Sequence, residues 1–128
     1  MVATRPRPTT AELRILRVLW KQGPLSVRDV HNILNTSTHG GYTSVLKTMQ
    51  IMLDKGLVDR DDSGRPQIYR ARYSEERTQK ELLTDLVQRV YNGSIKAMVV
   101  HALGTRKPSA RDLETLERLL DRYDRGRK

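Results

Sequence analysis

Up to Lys55, the apolar positions of this chain fall at helical spacing in three bursts. Leu13, Leu16 and Trp20 share one face, and Ile15, Val18 and Leu19 widen it. Thr9 and Glu12 stand at capping-box spacing ahead of this run, and Gly23-Pro24 stops it. Ser26, with Asp29 at the box position, opens a second run whose stripe is Val27, Val30, Ile33 and Leu34. Asn35 to Gly41 is polar, contains two glycines and reads as a linker. At about 100° per residue, Tyr42, Val45, Leu46, Met49, Met52 and Leu53 then cluster on one side of a third helix. Thr43, Ser44, Lys47 and Ile51 face the other way.

Past Lys55-Gly56 the periodicity changes. Leu57-Val58 and Ile68-Tyr69 read as two strands joined by a turn at Asp62-Ser63-Gly64-Arg65. From Ser74, a plausible N-cap, the pattern is all-helical. Leu82, Leu83, Leu86, Val87 and Val90 recur up to Asn92-Gly93, and a short, very apolar helix ended by Gly104 follows. Ser109 and Asp112 form another capping pair before Leu113, Leu116, Leu120 and Tyr123, and a charged tail runs from Arg122 to Lys128. Three helices closed by a hairpin predict a winged helix-turn-helix. The expected class is mainly α with a small β-hairpin. The expected domains are a basic arm over residues 1–9, a winged helix over 10–73 and a helical region over 74–128.

Charge sharpens this picture. The net charge of the 128-residue chain is +9, a balance that favours polyanions. Residues 1–72 carry 12 Lys/Arg against 6 Asp/Glu, and residues 73–128 carry 12 against 9, so the excess sits with the winged helix. The chain has no cysteine, which excludes disulfides, thiolate catalysis and cysteine metal sites and fits a reducing compartment. The longest apolar run, Ala97-Met98-Val99-Val100, is far too short to span a membrane. The first ten residues lack an apolar h-region, so no secretory leader is expected.

The exposed side of the third helix is the sharpest candidate site. Base edges in the major groove are read by hydroxyls, amides and cations, and Thr43, Ser44 and Lys47 supply these near the helix N-terminus. The competing reading is an ordinary solvated face. Arg60, Arg65, Arg70 and Arg72 lie on or beside the hairpin, with Arg65 at its tip, where an arginine can meet phosphate or a narrow minor groove. Asp59, Asp61 and Asp62 oppose that contact unless they orient the arginines. His31, His39 and His101 lack metal-ligand spacing, no nucleophile or phosphate-loop motif is present, and neither an enzyme, a metal nor a cofactor is expected.

The C-terminal region carries more apolar surface than three such helices can bury alone. Leu86, Val90, Ile95, Met98, Val99 and Ala102 contribute, with Leu103, Leu113, Leu116, Leu120 and Tyr123. A homodimer interface is the expectation, with packing on the first domain as the alternative. A two-fold dimer also suits a helix-turn-helix protein reading a palindrome.

Taken together, these segments resemble the penicillinase repressor family. Glu12-Leu13 through Leu19-Trp20 is similar to its first helix, and Ser26-Val27-Arg28-Asp29-Val30 to the start of its second. Tyr42-Thr43-Ser44-Val45 with Gln50 and Lys55-Gly56-Leu57-Val58 resembles its recognition helix and exit. Gly64-Arg65 with Tyr69 resembles its wing, and Tyr91-Asn92-Gly93-Ser94 the junction before its dimerisation helices. The resemblance covers about residues 10 to 121. It implies a cytoplasmic bacterial repressor that binds inverted repeats in double-stranded DNA as a homodimer, without membrane insertion. Carried over by position, Arg28, Tyr42, Thr43, Ser44, Lys47 and Arg65 would face DNA.

Three departures stand out. The family often has arginine where this chain has Ile51, which could touch a thymine methyl or face nothing. In the β-lactam branch a membrane sensor-protease pathway leads to cleavage at an Asn-Phe bond, and the aligned pair here is His101-Ala102. The copper-sensing branch uses a C-terminal cysteine cluster that this chain lacks. A winged-helix module that binds protein instead of DNA is the main competing function. An RNA-binding domain is weaker, since only Tyr69 and Tyr73 offer stacking near basic residues.

Overall fold

The computed structural model describes residues 7–34 and 41–126. Among these residues it is mainly helical, with the order α1 (Thr10–Gln22), α2 (Val27–Leu34), α3 (Tyr42–Lys55), β1 (Val58–Asp61), β2 (Ile68–Ala71), α4 (Glu75–Arg89), α5 (Ile95–Thr105) and α6 (Ala110–Gly126). This is a winged helix followed by a helical region. The chain divides into two compact units, Met1–Leu82 and Leu83–Lys128, with the division inside α4.

Local chemistry sets most helix starts. Thr9 and Glu12 form the full capping box: Glu12 N–H donates to Thr9 Oγ1 at 3.1 Å, and Thr9 N–H to Glu12 Oε1 at 2.9 Å. Ser26 caps α2 through the N–H of Asp29 at 3.1 Å, and Ser74 caps α4 through that of Arg77 at 3.1 Å. Ser94 and Ser109 do the same for α5 and α6. Gly56, at φ 81°, ends α3 in a left-handed cap. Its N–H reaches Leu53 O and the N–H of Leu57 reaches Met52 O, which satisfies the last carbonyls of the helix.

The core of the first unit joins Ile15, Leu16 and Leu19 of α1, Val27 and Val30 of α2, Met49 and Met52 of α3, and Leu57, Val58 and Tyr69 of the hairpin region. The strands pair antiparallel with Val58 opposite Ala71 and Asp61 opposite Ile68. They start later or run longer than the apolar pairs suggested, because Asp59, Arg60, Asp61 and Arg70 join the ladder as polar strand residues. Leu25 adds a bridge that the sequence reading missed: it exchanges backbone hydrogen bonds with Tyr69 at 2.8 and 3.0 Å, clamping the α1–α2 link onto β2.

Several sequence expectations are corrected. The inner face of α1 centres on Glu12, Ile15, Leu16 and Leu19, while Leu13 and Trp20 are only half-buried. A charged residue can sit inside because its carboxylate is satisfied there. Leu13 and Trp20 still pack against the core, and the Trp20 indole N–H donates to Tyr73 O at 2.9 Å, which satisfies the polar edge of the ring. Ile33, expected in the α2 stripe, is 42 % exposed. Gly104 does not end α5, which runs on to Thr105, and α6 continues through the charged tail to Gly126. Exposed helix tolerates both, since charged residues are good helix formers and one glycine costs only about 1 kcal/mol. Most of the Asn35–Gly41 linker and His39 lie outside the described residues; Gly41 is the N-cap of α3.

In the second unit the described residues bury only Val87 fully. Asn92 and Gly93, both at positive φ, make the tight link between α4 and α5. No helix among the described residues is long and apolar enough to cross a membrane.

Candidate functional site

Helix α3 presents two sharply different sides. Met49 and Met52 are buried, Tyr42, Val45, Leu46 and Leu53 are half-buried, and Thr43, Ser44, Lys47, Gln50, Ile51 and Asp54 are exposed. The exposed arc holds all three polar side chains expected to read bases. Thr48, beside them, turns its hydroxyl onto the carbonyl of Ser44 at 3.0 Å and so is engaged within the helix.

Both ends of α3 are anchored. At the N-terminal end the Arg28 guanidinium lies 4.7 Å from the centroid of the Tyr42 ring, a cation–π contact, and His31 meets the same ring edge-on at 6.1 Å. Arg28 and Tyr42 are thus one unit across α2 and α3. At the C-terminal end Lys55 donates to both oxygens of Glu12, at 2.8 and 3.1 Å. Glu12 is buried, so this pair ties the end of α3 to the start of α1. The sequence reading credited Glu12 with capping alone. Its second role spans 43 positions and leaves no local pattern.

The hairpin sorts its arginines. Arg60 binds Asp62 and Arg72 binds Asp59, each through short hydrogen-bonded ion pairs. These carboxylates hold both guanidinium groups above their ordinary pKa. Arg72 also packs against the bare Cα of Gly56, where an added Cβ would meet its Nη1 at 2.9 Å. Asp61 accepts from the N–H of Ser63 at 2.9 Å and is held below the usual carboxylate range, chiefly by Ser63, with Arg70 adding to the effect. Arg65 lies in the exposed loop between the strands, and no ion pair engages it among the described residues. A cleft of about 360 Å³ opens between the start of α2, Tyr42 and the base of the wing at Pro66-Gln67, with Arg28 on its wall.

In the second unit nearly every residue expected at a dimer interface is exposed. On α4, α5 and the turn between them these are Leu86, Val90, Ile95, Val99, Ala102 and Leu103, with Met98 half-buried. On α6 they are Leu113, Leu116, Leu120 and Tyr123. Leu83, Val100 and Leu119 belong to the same exposed apolar set and were missed, because only their exposure separates them from ordinary packing residues. His101 and Ala102 sit within α5, and His101 Nδ1 lies 3.3 Å from the hydroxyl of Tyr91.

Residues 8–122 match the sequence model of the family described as Penicillinase repressor. A penicillinase repressor of Bacillus licheniformis is 21 % identical over 123 residues, covering 96 % of each chain. The chain belongs to the penicillinase repressor family, a family of DNA-binding transcriptional repressors.

Proposed function

We propose that this protein represses transcription as a cytoplasmic homodimer, setting two α3 helices into successive major grooves of an inverted-repeat operator. The working division is a basic arm over 1–9, a winged helix over 10–73 and a dimerising helical region over 74–128. The observation that carries the reading is the exposed arc of Thr43, Ser44 and Lys47 on a helix anchored at both ends. Hydroxyls and a cation near a helix N-terminus suit base edges and phosphate. Arg28, held over Tyr42 beside the cleft, and Arg65, on the wing loop, would contact the DNA backbone.

Dimerisation is supported by the apolar surface of residues 83–126, which a soluble monomer rarely leaves open. The repressor of Bacillus licheniformis is named for penicillinase, and by analogy a β-lactam-linked signal through a sensor-protease pathway would relieve repression. Cleavage between His101 and Ala102 would require α5 to open first, since the pair lies in helical backbone.

Selection from a random duplex library should return an inverted repeat. Lys47→Ala should weaken binding to that duplex by about 1–3 kcal/mol at fixed salt, with the fold intact because Lys47 touches no core. Recovery of no preferred sequence would favour a protein-binding role for the winged helix.

A further inference from the structure

The first unit hides its aliphatic side chains well. Among the described residues up to Leu82, only Ile33 and Ile51 are exposed large hydrophobics, and Ile51 is 43 % exposed. Ile33 belongs to α2, away from the base-reading stripe. Ile51 lies inside it. Counting about 100° per residue from Thr43, Lys47 falls near 40°, Ile51 near 80° and Ser44 near 100°. Around the helix axis its direction therefore falls between those of the two polar groups best suited to bases, one turn further along. Exposed Gln50 and Asp54 complete its polar surroundings on the helix.

A branched aliphatic side chain in this position gains nothing from water or phosphate. The major groove offers it one apolar feature, the C5-methyl of thymine. Ile51 is one turn beyond Lys47, about 6 Å along the helix axis. That is just under two base steps of about 3.4 Å. We infer that Ile51 is a specificity-determining residue of the operator interface, packing on the methyl group of a thymine within two base pairs of the Lys47 contact.

This inference rests on the DNA-binding reading above, and its test keeps the two apart. Duplexes recovered by selection are titrated with the full chain at fixed salt, with each thymine replaced in turn by deoxyuridine. The substitution removes the methyl and leaves every hydrogen-bonding group. One thymine per half-site should prove sensitive, with wild-type affinity about fourfold lower for uracil, as one buried methyl predicts. Ile51→Ala should bind the thymine duplex more weakly and no longer distinguish thymine from uracil, while its thermal melt stays that of the wild type. A specific complex indifferent to every thymine methyl would overturn the inference alone, as would an Ile51→Ala protein that still prefers thymine. A chain that selects no sequence would overturn the DNA reading and this inference together.

Discussion

Glu12 and Lys55 illustrate how much one pair of residues can organise. The Glu12 carboxylate is buried, accepts from the Thr9 N–H, and receives Lys55 from the far end of α3. Removing the lysine leaves a buried charge with one backbone partner, and such orphaned groups are costly. Lys55→Met should therefore lower stability by about 2 kcal/mol, since part of the lysine already faces solvent. Glu12→Gln placed on top of it should recover part of the loss, because the amide oxygen still accepts from Thr9 without a charge. Denaturant melts of the four proteins in the cycle measure both effects. A Lys55→Met protein as stable as the wild type would show that the pair contributes nothing net. The residue scale is also where sequence reading ended. Thr9 and Glu12 are three positions apart and their box was legible. Lys55 lies 43 positions from Glu12, and no periodicity connects them.

At the scale of elements, α3 is legible in the sequence almost to the residue because glycines punctuate it. Gly41 stands at its start and Gly56 supplies the left-handed cap that closes it. The hairpin was legible as two strands, but its Leu25 bridge was not, since a single ladder residue has no alternating pattern. In α2 spacing puts Ile33 with Val30, and only packing decides that it stays outside. Two of the wing arginines are committed to ion pairs. Arg60 and Arg72 are held by Asp62 and Asp59, whereas Arg65 has no ion pair among the described residues. Arg65→Ala should therefore weaken binding to specific and random duplexes alike and reduce the salt slope by about one ion. Titration across a salt series checks this. A loss confined to one base position would mean that the wing reads sequence.

For the whole molecule, the contrast between the two units is the governing fact. The first buries a continuous core from α1 to β2, while the second buries only Val87 among its described residues. Sequence composition pointed to this surplus of apolar surface, but spacing alone did not distinguish a shared interface from packing within one chain. Val99→Asp with Leu116→Asp places two charges on the exposed apolar surface of α5 and α6. The expected product is a monomer whose winged helix still folds and whose operator affinity drops to that of a single half-site, because the second contact loses its effective concentration. Sedimentation and operator titration read the two outcomes. A double mutant that remains a tight dimer would remove this surface from the assembly.

The chain contains one tryptophan, and its placement gives the molecule a built-in optical label. Trp20 sits in α1, half-buried, with its indole donating to the carbonyl of Tyr73 just past β2. Its emission should shift when that donor bond opens to water, so tryptophan emission excited at the red edge, where tyrosine does not absorb, reports the first unit alone. Far-UV dichroism, dominated by helices in both units, reports everything at once. The two signals, recorded on one unlabelled sample at several protein concentrations, separate unfolding of the first unit from any concentration-dependent change in the second.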